Sequence, residues 1–190
     1  MKMLLGITGT DGSGKGTVVE YLVKEKGFTH YSSRTFILEH IDKEGFPRTR
    51  NQMRLTANKL RARHGDAFVV KQAYEKALED GKEYVVIESL RAVAEADFLK
   101  GKGGVLIAVD ADVKLRYKRV QERRSESDMV TFEEFVAHEA LEAEDPDPHG
   151  MQKLKVIQMA DYIVLNNGTL EELHTQIEEV LQKIKSTKVS

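Results

Sequence analysis

Apolar residues along this chain follow two alternating patterns. Short strand-like runs occur at 3–8 (MLLGIT), 28–32 (FTHYS), 83–88 (EYVVIE), 104–110 (GVLIAVD) and 161–166 (DYIVLN), all but the second rich in Val, Ile and Leu. Runs without polar alternation predict strands buried on both faces. Longer stretches with helical spacing separate them. In the last, Leu170, Leu173, Ile177, Val180, Leu181 and Ile184 form one stripe, opened by the capping box Thr169-x-x-Glu172. A second box, Thr131-x-x-Glu134, opens another helix, expected to end before Asp145-Pro146-Asp147-Pro148. Strand and helix in alternation predict an α/β fold, a five-stranded parallel sheet with helices on both faces. Ligands on such sheets sit at the carboxyl ends of the strands.

Composition narrows the class. A chain of 190 residues fits one domain, and 41% hydrophobic residues suffice for a packed core. The net charge of -2 argues against a general polyanion binder, so nucleic acid is not an expected partner. With no cysteine there are no disulfides, thiol nucleophiles or thiolate zinc sites, which fits a reducing compartment. No basic-then-apolar leader precedes Met3 and no apolar run is long enough to span a bilayer. The expectation is a soluble, cytoplasmic protein with no membrane partner.

The chemistry starts at residues 9–17, GTDGSGKGT, which follow the first strand and open a helix carrying Val18, Val19, Leu22 and Val23. The string nearly fits G-x-x-x-x-G-K-[ST], a loop whose small residues let backbone N–H groups converge on phosphate oxygens. Thr10, Asp11, Gly12, Ser13, Gly14, Gly16 and Thr17 are the expected triphosphate contacts, with Lys15 as a compact charge on the outer phosphates. Gly16 stands where the pattern wants a hydroxyl, which arrives one residue late as Thr17. Mg2+ is therefore expected to be held through Thr17 and through Glu88, at the end of the third strand. Mg2+ keeps several waters and takes few protein carboxylates. A strand-end charge in solvent also accounts for Glu88.

GTDGSGKGT resembles the loop of adenylate kinases and other nucleoside monophosphate kinases, which often read G-x-x-G-x-G-K-G-T, so the displaced threonine is a family habit. VVIESLR with EADFLK, then RYKRVQERR, then ADYIVLNNGTLEEL resemble dephospho-CoA kinases and, more closely, an archaeal group of kinase-like proteins related to them. The resemblance implies a three-layer P-loop NTPase fold, with an acceptor-binding helical region at about 34–80 and a short lid at about 124–150. It implies an enzyme that transfers a phosphoryl group from ATP, with Mg2+, to a small-molecule nucleotide.

Arginines supply the remaining charge. Arg116, Arg119, Arg123 and Arg124 have helical spacing, and Arg119 and Arg123 share a face. By resemblance to the R-x-x-x-R pair of nucleoside monophosphate kinases, Arg119 would lie on the base and Arg123 on the transferring group. On a helix at 48–66, Arg50, Arg54, Asn58 and Arg61 fall along one side, beside an apolar seam of Met53, Ala57 and Leu60, with Gly65 stopping it and Asp66 capping the next helix. Arg54 and Arg61 are the expected contacts for an acceptor phosphate, joined by Arg34 and Arg91 at the carboxyl ends of strands two and three. The 48–66 stripe reads equally as a surface helix balanced by nearby acids, and a solvated basic helix is the alternative for the arginines of 116–124. Asn167, in NNGT after strand five, resembles a loop that touches adenine, although a turn with a helix cap explains its composition.

Three departures matter. Leu38 stands where adenylate kinases usually place an arginine, and Glu88-Ser89 stands where Asp-Gly is common. No arginine follows Arg124, leaving His138, Lys153 or Lys155 as substitutes, and 133–147 is rich in acids that would repel ATP unless they face outward. The acceptor expected is a nucleoside or deoxynucleoside monophosphate. Dephospho-CoA is the alternative acceptor, and a nucleotide-driven switch or assembly ATPase on a kinase scaffold is the alternative class. A guanine-specific GTPase is disfavoured, because Asn-Lys-x-Asp does not occur.

Overall fold

A computed structural model describes residues 1–123 and 130–187. Arg124, and with it the start of the expected lid, lies outside the described residues. Five strands, β1 (Met3–Gly9), β2 (Thr29–Ser32), β3 (Tyr84–Glu88), β4 (Val105–Asp110) and β5 (Tyr162–Leu165), form one sheet in the order β2-β3-β1-β4-β5. Every pair is parallel, with Leu5 opposite both Val86 and Val105 at its centre. The apolar runs therefore became strands within a residue or two of their expected bounds.

Side chains alternate across the sheet and seed two cores. Leu5, Ile7, Val86, Ile107 and Val109 pack with α1 (Lys15–Lys26) and α9 (Leu170–Thr187). Leu4, Val85, Ile87 and Leu106 point the other way, onto α4 (Phe68–Glu79), α5 (Val93–Gly101) and α8 (Lys153–Gln158). All seven residues of β1 are buried, as a strand covered on both faces requires. Each fully buried Leu or Ile contributes roughly 1.5–3 kcal/mol, so the two layers hold the sheet firmly. Among the described residues, no helix is long and apolar enough to cross a membrane.

Helix ends follow the sequence with two corrections. Both capping boxes form: Thr131 and Glu134 at α7 (Phe132–Ala143), Thr169 and Glu172 at α9, each exchanging bonds of 2.8 and 3.2 Å. Leu170, placed on the apolar stripe of α9, is 54% exposed, and the buried stripe begins at Leu173. Asp66 does not cap α4. That position falls to Ala67, and the Asp66 carboxylate instead faces the His149 ring nitrogen at 2.7 Å.

Between β2 and β3 the chain forms α2 (Ser33–Glu44), α3 (Arg50–His64) and α4. One buried pair ties this region to the sheet. Arg61, 2% exposed, donates through Nε and Nη2 to Oε1 of Glu95 at 3.0 and 2.8 Å. The other Glu95 oxygen accepts the backbone N–H groups of Arg91 and Ala92 at 2.7 and 3.1 Å, fixing the turn after β3. Removing one member of such a pair strands a buried charge, at a cost of about 3–5 kcal/mol. Glu95→Ala is therefore expected to lower the melting temperature by several degrees more than exposed Glu44→Ala, measured by circular dichroism; equal melting points would disprove the role of this pair.

Candidate functional site

The loop between β1 and α1 takes its shape from glycines and from pins on three sides. Gly12 has φ 76° and Gly14 φ 94°, both in the left-handed region. A Cβ at Gly12 would meet the Arg116 carbonyl oxygen at 2.4 Å, and one at Gly14 would meet Asn166 Nδ2 at 2.2 Å. Thr10 Oγ1 donates to Asp110 Oδ1 at the end of β4 (2.6 Å), Ser13 Oγ to Thr10 O (2.8 Å), and Asn166 Nδ2 to Ser13 O (2.8 Å). Arg116, in α6 (Val113–Arg123), reaches from the far side to Asp11 O at 3.1 Å. The loop is thus preset as a cradle in which Gly16 leaves open space, since a Cβ there would meet nothing within 4 Å. That geometry fits an anionic phosphate chain at the start of a helix.

Lys15 folds back over its own loop, donating to Gly9 O at 3.2 Å and Thr10 O at 2.7 Å. Burial pushes its ammonium down to about 8, with Lys153 and Arg91 adding to the effect and Asp11 opposing it. Asp11 is the counterpart. Burial disfavours its charge, yet Lys153, Lys15, Arg91 and Arg50 outweigh that and hold its carboxyl well below the usual carboxylate range.

A cavity of about 570 Å3 opens beside the loop. Lys15 and Asp11 form one wall; Glu88, Ser89 and Arg91 at the end of β3 form another; α2 and α3 close it with Arg34, Arg50, Arg54 and Arg61 above an apolar floor that includes Met53 and Ala57. The structure therefore gathers Asp11, Gly12, Lys15, Glu88, Arg34, Arg54, Arg61, Arg91 and Arg123 around one space. Thr10, Ser13, Gly14, Gly16 and Thr17 are loop residues beyond its lining. Arg119 and Asn167 lie apart from it. Arg119 Nη2 donates to Asn166 O at 2.9 Å, while its buried Nη1 meets no partner among the described residues, and Asn167 Oδ1 accepts from the Asp112 N–H at 2.7 Å.

Each expected acceptor arginine on α3 already meets a carboxylate. Arg61 is bonded to Glu95, and Arg54 Nη1 donates to Asp145 Oδ2 at 3.0 Å. Glu88 pairs with His30 Nε2 at 3.2 Å; burial works against its charge, but His30, Lys15 and Arg91 keep its pKa below the ordinary value. Ser89, standing where the resembling kinases have glycine, has φ 73°, so the backbone keeps the left-handed turn despite the side chain. Such strain in a non-glycine residue costs roughly 1–2 kcal/mol and clusters at functional sites.

Arg50, Arg116 and Lys153 stood out in the sequence as cations, but their partners did not. Arg50 bonds Asp11 and Glu142. Lys153, 5% exposed, donates to Asp11 at 3.0 Å and Glu142 at 2.7 Å, and Arg116 bonds Glu139. The acids of 133–147, which would repel ATP unless they faced outward, turn inward at 139, 142 and 145, where each meets a cation. Their spacing of three along the chain, facing the four-residue steps of Arg50 and Arg54, was the available signal. Charge sign alone could not show which side they face. His138 Nδ1 is buried without a partner among the described residues, and Lys155 pairs with Glu144 at 3.7 Å on the surface.

A family model described as an AAA domain matches residues 5–147. A UPF0200 protein of Thermococcus kodakarensis is 30% identical over 190 residues, spanning 97% of this chain and 99% of that protein. One from Sulfurisphaera tokodaii is 33% identical over 183 residues, spanning 95% and 97%. Among solved structures, shikimate kinase from Bacteroides thetaiotaomicron superposes with a TM-score of 0.63 at 12% identity, covering 96% of this chain and 98% of that one. At that identity the likeness is one of fold, that of P-loop kinases.

The depressed Lys15 has a measurable consequence. Its folded value of about 8 lies below the ordinary 10.5, so keeping it charged costs stability below about pH 8 and that cost fades as pH rises. An anion in the loop restores the charged form. ATP binding near pH 8 is therefore expected to take up protons, and uptake should vanish by about pH 6, where Lys15 is already charged. Calorimetry in buffers of different ionisation enthalpy reads this directly; proton release at pH 8 would contradict it.

Proposed function

The chain belongs to the AAA domain family and to the UPF0200 proteins, and on that premise we propose that it transfers the terminal phosphoryl group of ATP to a small nucleotide, a nucleoside or deoxynucleoside monophosphate. The observation that carries this reading is the cavity itself. Lys15 of the phosphate loop and the guanidinium groups of Arg34, Arg50, Arg54 and Arg91 border one space from opposite sides. Phosphoryl transfer asks a protein chiefly to hold two anions in line and to compensate the charge that develops between them.

In this reading the amides of residues 10–17 hold the triphosphate, and Lys15 leaves its loop carbonyls for the outer phosphates. Arg119, whose buried Nη1 beside Asn166 has no partner among the described residues, and Asn167 on the same lip receive the base. Arg91, Arg54 and Arg34 receive the acceptor phosphate, Arg61 shapes the wall behind it, and Arg123 reaches the transferring group from α6. Mg2+ would neutralise the phosphate charge, held through water by Thr17 and by the ionised Glu88. The donor set, one carboxylate and one hydroxyl beside a phosphate cradle, suits that ion. Closure of the acidic segment over the cavity would keep water from the phosphoryl group.

The test is an acceptor panel. Incubate the protein with ATP and Mg2+, offer each nucleoside and deoxynucleoside monophosphate, dephospho-CoA and shikimate in turn, and count ADP per acceptor phosphorylated. One-to-one coupling to a nucleoside monophosphate is the expected result. Coupling to dephospho-CoA or shikimate would move the acceptor, and slow ADP release indifferent to every acceptor would replace the kinase with a switch ATPase. Lys15→Ala should lower turnover by at least about 100-fold, the scale of losing one transition-state donor, while the circular dichroism spectrum is unchanged. Normal turnover in that variant would remove the loop from the mechanism.

A further inference from the structure

One acid of α7, Glu142, faces the cavity's cations. Glu142 is buried at the cavity wall. Its Oε1 accepts from Arg50 Nε at 2.9 Å and Nη2 at 2.7 Å; its Oε2 accepts from Lys153 at 2.7 Å and lies 3.5 Å from Arg91 Nη1. One carboxylate thus sits among three cations brought from α3, α8 and the turn after β3. Burial and the neighbouring Asp11 disfavour its charge, and Arg91, Lys153 and Arg50 together overcome both and hold its pKa below the ordinary value.

We propose that Glu142 is an internal placeholder for the acceptor's phosphate, and that it makes the cavity selective for phosphomonoester dianions over neutral or singly charged acceptors. The inference rests on the phosphotransfer reading for the identity of the ligand. A tethered carboxylate competes at a high effective concentration, so a ligand must bring more charge than it does. A phosphomonoester carries close to two charges and three acceptor oxygens, enough to engage Arg50 and Arg91 together. A neutral sugar or a lone carboxylate gains nothing over the occupant.

The surroundings permit the exchange. When Glu142 leaves, Lys153 and Arg50 both keep Asp11 as a partner, so neither cation is stranded. Of the twelve residues of α7, only Phe135 and Glu142 are buried, so little apolar surface resists its release. The segment beyond is fixed separately. Asp145 holds Arg54, Asp147 accepts from Asn58 Nδ2 at 3.1 Å, and the Asp145 N–H donates to Met151 O at 2.9 Å. α7 therefore moves on Glu144, its C-terminal boundary, while the following turn stays in place.

The experiment uses ribose 5-phosphate and ribose as probes of the whole protein. Calorimetry should show the phosphate ester binding about tenfold tighter to Glu142→Gln than to the parent, with ribose binding to neither. Amide hydrogen exchange over 132–143 should speed up when the parent binds ribose 5-phosphate, and should be fast from the start in the variant. Equal or weaker phosphate affinity in a Glu142→Gln protein that melts normally overturns the proposal. So does unchanged exchange in the parent at saturating ribose 5-phosphate, a measurement that decides the matter even if the variant fails to fold. Displacement of α7 by the phosphate without any acceptor-coupled ADP formation would sink the kinase reading and leave the placeholder standing.

Discussion

Charge removed from water has to be met by opposite charge, and around the phosphate loop that requirement organises everything else. Asp11 and Glu142 stand among Lys15, Arg50, Arg91 and Lys153, drawn from five different stretches of chain. No member could keep its charge at that depth alone. Cations outnumber these two carboxylates, with Glu88 adding a third at the margin, so the cluster carries a positive remainder aimed at the cavity.

The sheet makes this arrangement possible. β1 lies between β3 and β4, so the loop leaving β1 is flanked by the ends of both neighbours. Asp110 at the end of β4 pins the loop from one side, and Glu88 and Arg91 after β3 line the cavity on the other. α2 to α4 depart from β2 at the outer edge and return to β3, which carries the basic face of α3 over the opening. The buried Arg61–Glu95 pair then locks that helical region to the turn bearing Arg91.

How the acids of α7 face explains two departures of this chain at once. No arginine follows Arg124 in the sequence, and the stretch 133–147 carries carboxylates instead. Those carboxylates turn to cations of the body: Glu139 to Arg116, Glu142 to Arg50 and Lys153, and Asp145, just beyond α7, to Arg54. Lys153 in α8 supplies the remaining charge from a rigid element. Ser89 shows the same economy, since the turn it occupies keeps a glycine-like backbone with φ 73°.

What the sequence determined by itself was everything carried by local pattern. Runs of Val, Ile and Leu set the three central strands, because a strand covered on both faces has no polar positions to alternate; the edge strands β2 and β5, expected to be buried alike, are partly exposed, with Ile163 and Leu165 open to solvent. Thr131-x-x-Glu134 and Thr169-x-x-Glu172 set two helix starts, because both bonds of each box lie within four residues. The string at 9–17 set the cradle, because its glycines are needed for the backbone itself. Only the tertiary structure decided which charges meet. Arg54 with Asp145, Arg61 with Glu95 and Arg50 with Glu142 are 91, 34 and 92 residues apart, and Coulomb attraction carries no record of separation along the chain. Asp66 read as a cap for the same reason, since nothing nearby in sequence announced His149.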